Sequence, residues 1–516
     1  MALAPYFDKA ALGAHAYLRG VQPDDFARIL NDHVIALEFD ESATCGGEGA
    51  WTTELAINLL ARLYPRIAVV PQGAATRAHA DWLRSLALKV NPRVEFCDAK
   101  AATVALAVGS SPTVTTARVV YAGSDGWMVR VSPVKPMGSG SGSNPFGAAA
   151  AACFGAANVF RTVFAEHLDD DGLDDFEISV LDLSVGESGS IESLEGVSIG
   201  EVHLVGAGAI GNGAIWVLSR LPGLRGKLHI VDPELVELHN VQRYVLTAAE
   251  STGIAKTMLA RTALQDQPID VLLHDKSWGE FLAGHDGYPT LDRVAVAVDT
   301  AADRIAIQAS LPRWIANAWT QPGDVGVSRH GFLDGACLAC LYMPDEVSRS
   351  EGEIVAEAIG LLDHVKAVEH LLYTGAPVGD DFVRQIAAGC NLDPESLLSF
   401  SGQSLREFYT EVVCGGVLLS FGAATEVEVP LVFQSCLAGI MLAACVVADS
   451  LGNGLSVGSK STVDLLRPVR HHVTVPLAKH RLGRCLCQDA DYRKVWIATH
   501  GAGSDPRGGP EPHPSC

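Results

Sequence analysis

Residues 201–220 read EVHLVGAGAIGNGAIWVLSR, and this stretch decides the fold. Glu201 to Val205 reads as a buried strand, the glycines from Gly206 to Gly213 as a tight turn, and the apolar run to Arg220 as a helix. Gly206, Gly208 and Gly211 make a G-x-G-x-x-G turn between the two. Such a turn lets backbone N–H groups approach a phosphate closely, and the positive end of the helix favours its charge. The next strand, Lys227 to Val231, ends at Asp232, where a carboxylate can accept hydrogen bonds from a ribose diol. A third strand, Arg293 to Val298, ends at Asp299. Strands alternating with helices predict parallel βαβ units, with ligands at the carboxyl ends of the strands.

The stretch after Asp232 favours a triphosphate over a nicotinamide ring. VDPELVELHNVQRY, from Val231 to Tyr244, carries Asn240 and Arg243, and Lys256 follows in TGIAK. Two cations beside a phosphate turn match the charge of three phosphates. Asp299, in VAVDTAADR, is placed to hold a Mg²⁺ ion.

An earlier segment looks like a faded copy. Val34 to Phe39 (VIALEF) reads as a strand, CGGEGAW as a glycine loop, TTELAINLLARLYP as a helix and Arg66 to Val70 as the next strand. No acidic residue closes that second strand. A small-residue helix, AAAAACFGAANVF, resembles the late apolar helix around Cys436, and together these features predict an internal duplication. The run Gly138 to Asn144 (GSGSGSN) reads as a flexible linker, and Gly501 to Cys516 as a frayed tail.

Composition bounds the function classes. The 516 residues hold 38 basic and 60 acidic side chains, a net charge of −22, which disfavours non-specific binding of nucleic acid or anionic lipid. Twelve cysteines without a secretory signal predict a cytoplasmic protein whose thiols serve metal sites or catalysis. Leu431 to Ala448 is long enough to span a bilayer, but Gln434, Ser435 and the preceding Pro430 favour a buried core helix and no membrane partner.

The ordered set of glycine turn, Asp232, Asn240-x-x-Arg243, Gly253-x-x-Lys256, Asp299 and Arg304 resembles the adenylation domain of ubiquitin-activating enzymes and their ThiF/MoeB adenylyltransferase relatives, over about Val197 to Arg493. The family's Asn-Leu-Asn-Arg-Gln stands here as Asn240-Val241-Gln242-Arg243-Tyr244, and Thr300 replaces the usual Asn or Ser. The resemblance implies ATP and Mg²⁺ as cofactors. It assigns Asp232 to the ribose, Asn240, Arg243 and Lys256 to the phosphates, and Asp299 to the metal ion. It also implies a structural zinc on Cys337 and Cys340 (CLAC) with Cys485 and Cys487 (CLC), although the family usually has CxxC in the second pair. Four thiolates suit tetrahedral Zn²⁺ and leave no open position for catalysis.

Cys414, which begins CGGVLL, matches the position of the family's reactive cysteine, and Cys390 is the runner-up; Cys436 and Cys445 read as core. The expected architecture is α/β: residues 1–190 an inactive adenylation-like half, 191–343 the ATP-binding core, 344–413 a helical insertion, 414–500 the rest of the adenylation fold and 501–516 a tail. An arginine lent by the inactive half is expected from Arg28. The implied reaction is ATP-dependent adenylation of a ubiquitin-like protein, then thioester formation and transfer to a conjugating enzyme, with homodimerisation open and an antiviral role following by analogy alone. The alternatives are a sulfur-carrier adenylyltransferase that stops at the adenylate, an NAD-dependent oxidoreductase and a catalytically silent scaffold.

Overall fold

The structure is a computed structural model that describes residues 18–21, 23–44, 47–168, 172–173, 175–186, 193–285, 289–321, 323–344, 350–409, 430–469 and 473–501. Two sheets follow one another along the chain. The first contains α1 (Pro23–Asp32), β1 (Ile35–Phe39), α2 (Gly47–Leu63), β2 (Arg66–Pro71), α3 (Arg77–Val90), β3 (Glu95–Phe96), β4 (Val104–Val108), β5 (Val119–Asp125), β6 (Met128–Ser132), α4 (Pro145–Val163) and β7 (Phe176–Ser179). The second opens with β8 (Ser198–Val205), α5 (Ala209–Leu218), β9 (Arg225–Val231), α6 (Lys256–Leu264), β10 (Asp270–His274) and α7 (Trp278–Ala283). It continues through β11 (Arg293–Val296), α8 (Ala301–Ala309), β12 (Trp314–Gln321), β13 (Asp324–His330) and α9 (Leu338–Tyr342). It closes with α10 (Val432–Ser450), β14 (Ser459–Val463) and β15 (Val473–Pro476).

The strand orders are β3-β2-β1-β4-β5-β6-β7 and β10-β9-β8-β11-β12-β13-β14-β15. In both sheets the first five strands run parallel and the later ones antiparallel. The second sheet therefore repeats the first, strand for strand, and adds β15. The internal duplication read from the sequence appears here as shared topology. The central strands IALEF and VALAV are buried at every position, as parallel strands covered on both faces must be.

The two sheets meet through helices. α4 and α10 are each long and apolar enough to cross a bilayer, and each is 94% buried inside the protein. Phe160 of α4 lies 6.0 Å from Phe433 of α10. On its other side α10 touches α5 backbone to backbone: a Cβ on Gly439 would stand 2.1 Å from the Ile210 carbonyl oxygen, and one on Gly213 2.6 Å from that of Cys436.

Polar contacts from the first half also hold a loop of the second. Arg62 of α2 is 1% exposed; its guanidinium donates to the carbonyl oxygens of Val241 and Thr247, the latter at 2.7 Å, and to Asn58 Oδ1 at 3.0 Å. Asn58 Nδ2 donates to the Val245 carbonyl at 3.0 Å. Glu54 pairs with Arg220, whose guanidinium lies 4.0 Å from the Trp216 ring.

One sequence expectation is corrected. Gly138 to Asn144 is a packed loop, not a flexible linker. Ser139 bridges Ser124, the Gly140 N–H donates to the Ser124 carbonyl at 2.7 Å, and a Cβ on Gly123 would fall 1.8 Å from the Gly138 oxygen. Its glycines let the chain lie against β5 rather than swing free. The described residues of the insertion have a core of their own that includes Val355, Ile359, Val368, Ile386 and Phe408. Within it, left-handed Gly360 separates the helices Glu351–Ala358 and Val365–Thr374.

Gly439→Ala is expected to cost about 1–3 kcal/mol by overpacking, seen as a lower denaturant midpoint. Gly279→Ala, where a Cβ meets nothing within 4 Å, serves as the neutral control. Arg62→Met strips donors from two buried carbonyls. At about 1–3 kcal/mol this should speed amide exchange across residues 241–247 by roughly 5- to 150-fold.

Candidate functional site

The glycine turn lies at the switch point of the second sheet. β8 has β9 on one side and β11 on the other, so residues following all three strands open into one crevice. Gly206 takes φ +95°, and a Cβ there would lie 2.6 Å from the Ala297 carbonyl oxygen; one on Gly211 would lie 2.3 Å from the Gly206 oxygen. Only glycine allows this packing. At Gly208 a Cβ would meet the Tyr244 hydroxyl at 3.4 Å, an ordinary contact, so packing does not demand glycine there. α5 begins at N-cap Gly208 with no side chain capping its first turn. Uncapped N–H groups at a helix start form an anion site.

Asp232 is 7% exposed and braces the turn: Oδ2 accepts from the Ala207 N–H at 2.7 Å and Oδ1 from the Glu234 N–H at 2.9 Å. Burial raises its pKa against the opposing pull of these hydrogen bonds and of Lys256. Lys256, 5% exposed, begins α6, pairs with Glu234 and stands 5.3 Å from the Tyr244 ring centre. Burial works against its charge, but Tyr244, Glu234 and Asp232 outweigh that penalty and hold its pKa above the ordinary lysine value. Lys256 is therefore a fixed positive charge beside the turn.

The remaining expected residues are placed less directly. Arg243 is half-buried, and the described residues give its guanidinium no hydrogen bond or ion pair; Arg62 and Asn58 fix its loop. Asn240 turns its amide oxygen back to the Glu237 N–H at 2.9 Å, so that oxygen braces the loop rather than pointing at a ligand. Asp299 is exposed, three residues beyond β11. Its carbonyl accepts from Arg304, which is 6% exposed and also donates to Asn317 Oδ1 at 3.0 Å. Arg304 thus braces the strand end. Arg28 is exposed and paired with Asp25 and Asp32 of its own helix, at 3.0 and 3.7 Å. The arginine that reaches from the first half to this loop is Arg62.

Sequence reading passed over Asn212, Asn58 and Arg62. Asn212 is fully buried; Nδ2 donates to the Ala207 and Gly208 carbonyls at 2.8 and 2.9 Å, and Oδ1 accepts from the Leu246 N–H at 3.2 Å. It ties the turn to the Arg243 loop. The available signal was a polar or charged residue inside an apolar helix, in GAIGNGAIWV and in AINLLARL.

The equivalent corner of the first half is filled by carboxylates. Glu48, in the first turn of α2, accepts from Ser124 Oγ at 2.6 Å and Gly126 N at 3.2 Å, and burial raises its pKa. Asp40 accepts from the N–H groups of Ser42 and Ser111 at 2.9 and 2.7 Å. Negative side chains thus stand at the corner where the second half has its glycine turn.

Four thiols meet away from the turn. The Sγ atoms of Cys337 and Cys340 are 3.9 Å apart, those of Cys337 and Cys485 3.4 Å, and those of Cys340 and Cys487 3.5 Å. All four lie within 4.8 Å of one another. A zinc ion bound at about 2.3 Å by four sulfurs sets them roughly 3.8 Å apart, so the set fits that ion. The short CxC spacing still gives each thiol a partner in the first pair. Cys390 is half-buried and burial raises its pKa, which suits a nucleophile poorly. Cys414 lies outside the described residues. Cys436 and Cys445 are buried in α10.

Comparison with known proteins agrees with this geometry. Residues 38–165 match Prokaryotic E2 family C, and residues 185–446 match the ThiF family. The chain is 43% identical over 513 residues to "Uncharacterized protein y4jF" of Sinorhizobium fredii, covering 98% of this chain and 99% of that one. It is 28% identical over 253 residues to the Candida albicans "Adenylyltransferase and sulfurtransferase UBA4", covering 46% of this chain and 55% of that protein. It is 27% identical over 223 residues to the Escherichia coli "Molybdopterin-synthase adenylyltransferase", covering 40% and 87%. The chain spans about half the length of the yeast relative. With a matched segment that covers half of the chain, including the glycine turn and β8 through β13 of the second sheet, the chain belongs to the ThiF family.

Proposed function

We propose that this chain uses ATP to adenylate the C-terminal carboxylate of a ubiquitin-like protein, captures the acyl group as a thioester on Cys414 and passes it to a conjugating enzyme. The observation that carries the proposal is the uncapped start of α5 at the sheet's switch point, flanked by the buried ammonium of Lys256. A nicotinamide enzyme has no need of that charge.

In this reading Asp232 takes the ribose through lone pairs left by its two backbone hydrogen bonds. The α5 turn, Lys256 and Arg243 face the phosphates, and Asp299 holds Mg²⁺, which supplies charge neutralisation at the phosphate oxygens. A carboxylate oxygen of the protein substrate attacks the α-phosphorus, the bond to the bridging oxygen breaks, and pyrophosphate leaves with the negative charge. Lys256 and Arg243 are most valuable as that charge develops, because they are already in place. The Cys414 thiolate then attacks the acyl carbonyl and AMP departs. Asn240 acts by fixing the loop that carries Arg243. The first half serves as an inactive partner, since Glu48 and Asp40 occupy its phosphate corner. The four thiolates hold a structural zinc.

The names of the yeast and Escherichia coli relatives favour a second reading, in which a sulfur-carrier protein is adenylated and no thioester forms. The E2 family match of the first half favours the conjugation reading.

ATP–pyrophosphate exchange dependent on a small β-grasp protein tests the first step. Lys256→Ala should lower exchange by about 10²–10³-fold, the range for removing one pre-positioned charge stabiliser. Exchange unchanged in that variant, or tight NAD binding in its place, sinks the assignment. Cys414→Ala should keep exchange and lose the thiol-labile adduct with the substrate protein; an adduct that persists moves the nucleophile elsewhere, and none in the parent protein selects the sulfur-carrier reading. Cys485→Ser with Cys487→Ser should remove one zinc per chain by elemental analysis and lower the melting temperature.

A further inference from the structure

A second cluster of metal-ligating side chains lies on β8 and β9, about three residues, or roughly 10 Å, below the glycine turn. Glu201 and His203 are two apart on β8 and so point to one face. His229 sits beside His203 in the parallel register, and their rings stack 4.3 Å apart at 15°. His274 on β10 continues the stack, 5.2 Å from His229 at 7°. His229 Nε2 lies 3.0 Å from Glu201 Oε1, and Nδ1 lies 3.0 Å from His274 Nε2. His203 is 4% exposed, and its Nδ1 has no hydrogen-bond partner among the described residues. One oxygen of Glu201 and one ring nitrogen each of His203 and His229 lie within 4.8 Å of one another.

We infer that Glu201, His203 and His229 form a binding site for a divalent transition metal of the zinc class, separate from the four-thiol cluster. Two imidazoles and a carboxylate are the donor set of a three-ligand zinc site, whose fourth position is left to water or a small ligand. The outer contacts orient Glu201 and His229, and ion binding turns the His203 ring out of its stack on His229 so that its nitrogen joins them. A proton on His229 Nδ1, donated to His274 Nε2, leaves the Nε2 lone pair facing Glu201, while Lys227 holds the other Glu201 oxygen at 3.3 Å. Phe281 lies 5.5 Å from His203 and 4.7 Å from His274, covering the rings. On its exposed side Glu201 borders an open cavity of about 660 Å³ that Arg225, Lys227 and Asp270 also line. The site does not depend on the proposed adenylation chemistry, because none of its residues belongs to the nucleotide crevice.

The test is metal titration of the full-length chain after chelator treatment, with zinc for stoichiometry and cobalt for spectroscopy. The expected result is two metal equivalents, one giving intense thiolate-to-cobalt absorption and one giving only the weak bands of nitrogen and oxygen ligands. Glu201→Gln and His229→Gln should each weaken the second equivalent at least tenfold, roughly the effect of disturbing a metal's shell, and leave the thiolate signal intact. The Cys485→Ser, Cys487→Ser variant should do the reverse. A parent protein that takes up a single equivalent overturns the inference, as does a second equivalent indifferent to Glu201→Gln. That variant decides the matter if His229→Gln fails to fold, because the Glu201 side chain is 47% exposed.

Discussion

The second half is organised by the absence of side chains around one short helix. Gly206 and Gly211 let the turn fold onto the Ala297 and Gly206 carbonyls, and Gly213 and Gly439 let α5 meet α10 at backbone distance. Any Cβ at these positions would push α5 away from β8 or from α10. Its first turn would then no longer face the crevice beyond the strands. The anion site of the helix and the packing of the core are consequences of one geometric constraint.

The duplicated sheets show how one topology carries two outcomes. Strand order and direction are the same, yet the first half places the carboxylates of Glu48 and Asp40 at the corner where the second has a glycine turn and an uncapped helix start. Negative charge at that corner repels a phosphate. The first half contributes instead from its outer helix. Arg62 and Asn58 of α2 hold the carbonyls of Val241, Val245 and Thr247, and Asn212 reaches the same loop from α5. The segment bearing Arg243 is positioned from both halves of the chain.

The two clusters of side chains able to ligate a metal differ in kind. The four thiols join α9 to a segment some 145 residues later and leave no ligand position open, which makes them a staple. Glu201, His203 and His229 come from two adjacent strands, with a cavity beside them. Such a set adds little to the connectivity of the fold.

The sequence by itself determined the parallel α/β architecture, the duplication and the glycine turn, because each rests on a local pattern, while the meeting of the two cysteine pairs was implied by resemblance alone. Strand alternation, glycine spacing and CxxC spacing survive without knowledge of neighbours. Lys256 was legible for the same reason, as part of an ordered motif. Tertiary structure alone decided what depends on distant contacts. GSGSGSN proved to be packed because β5 offers it a glycine to lie against, and Arg28 pairs within its own helix while Arg62 crosses to the other half. The stack of His203, His229 and His274 was equally hidden, since three histidines scattered over 72 positions become neighbours only when β8, β9 and β10 align in register.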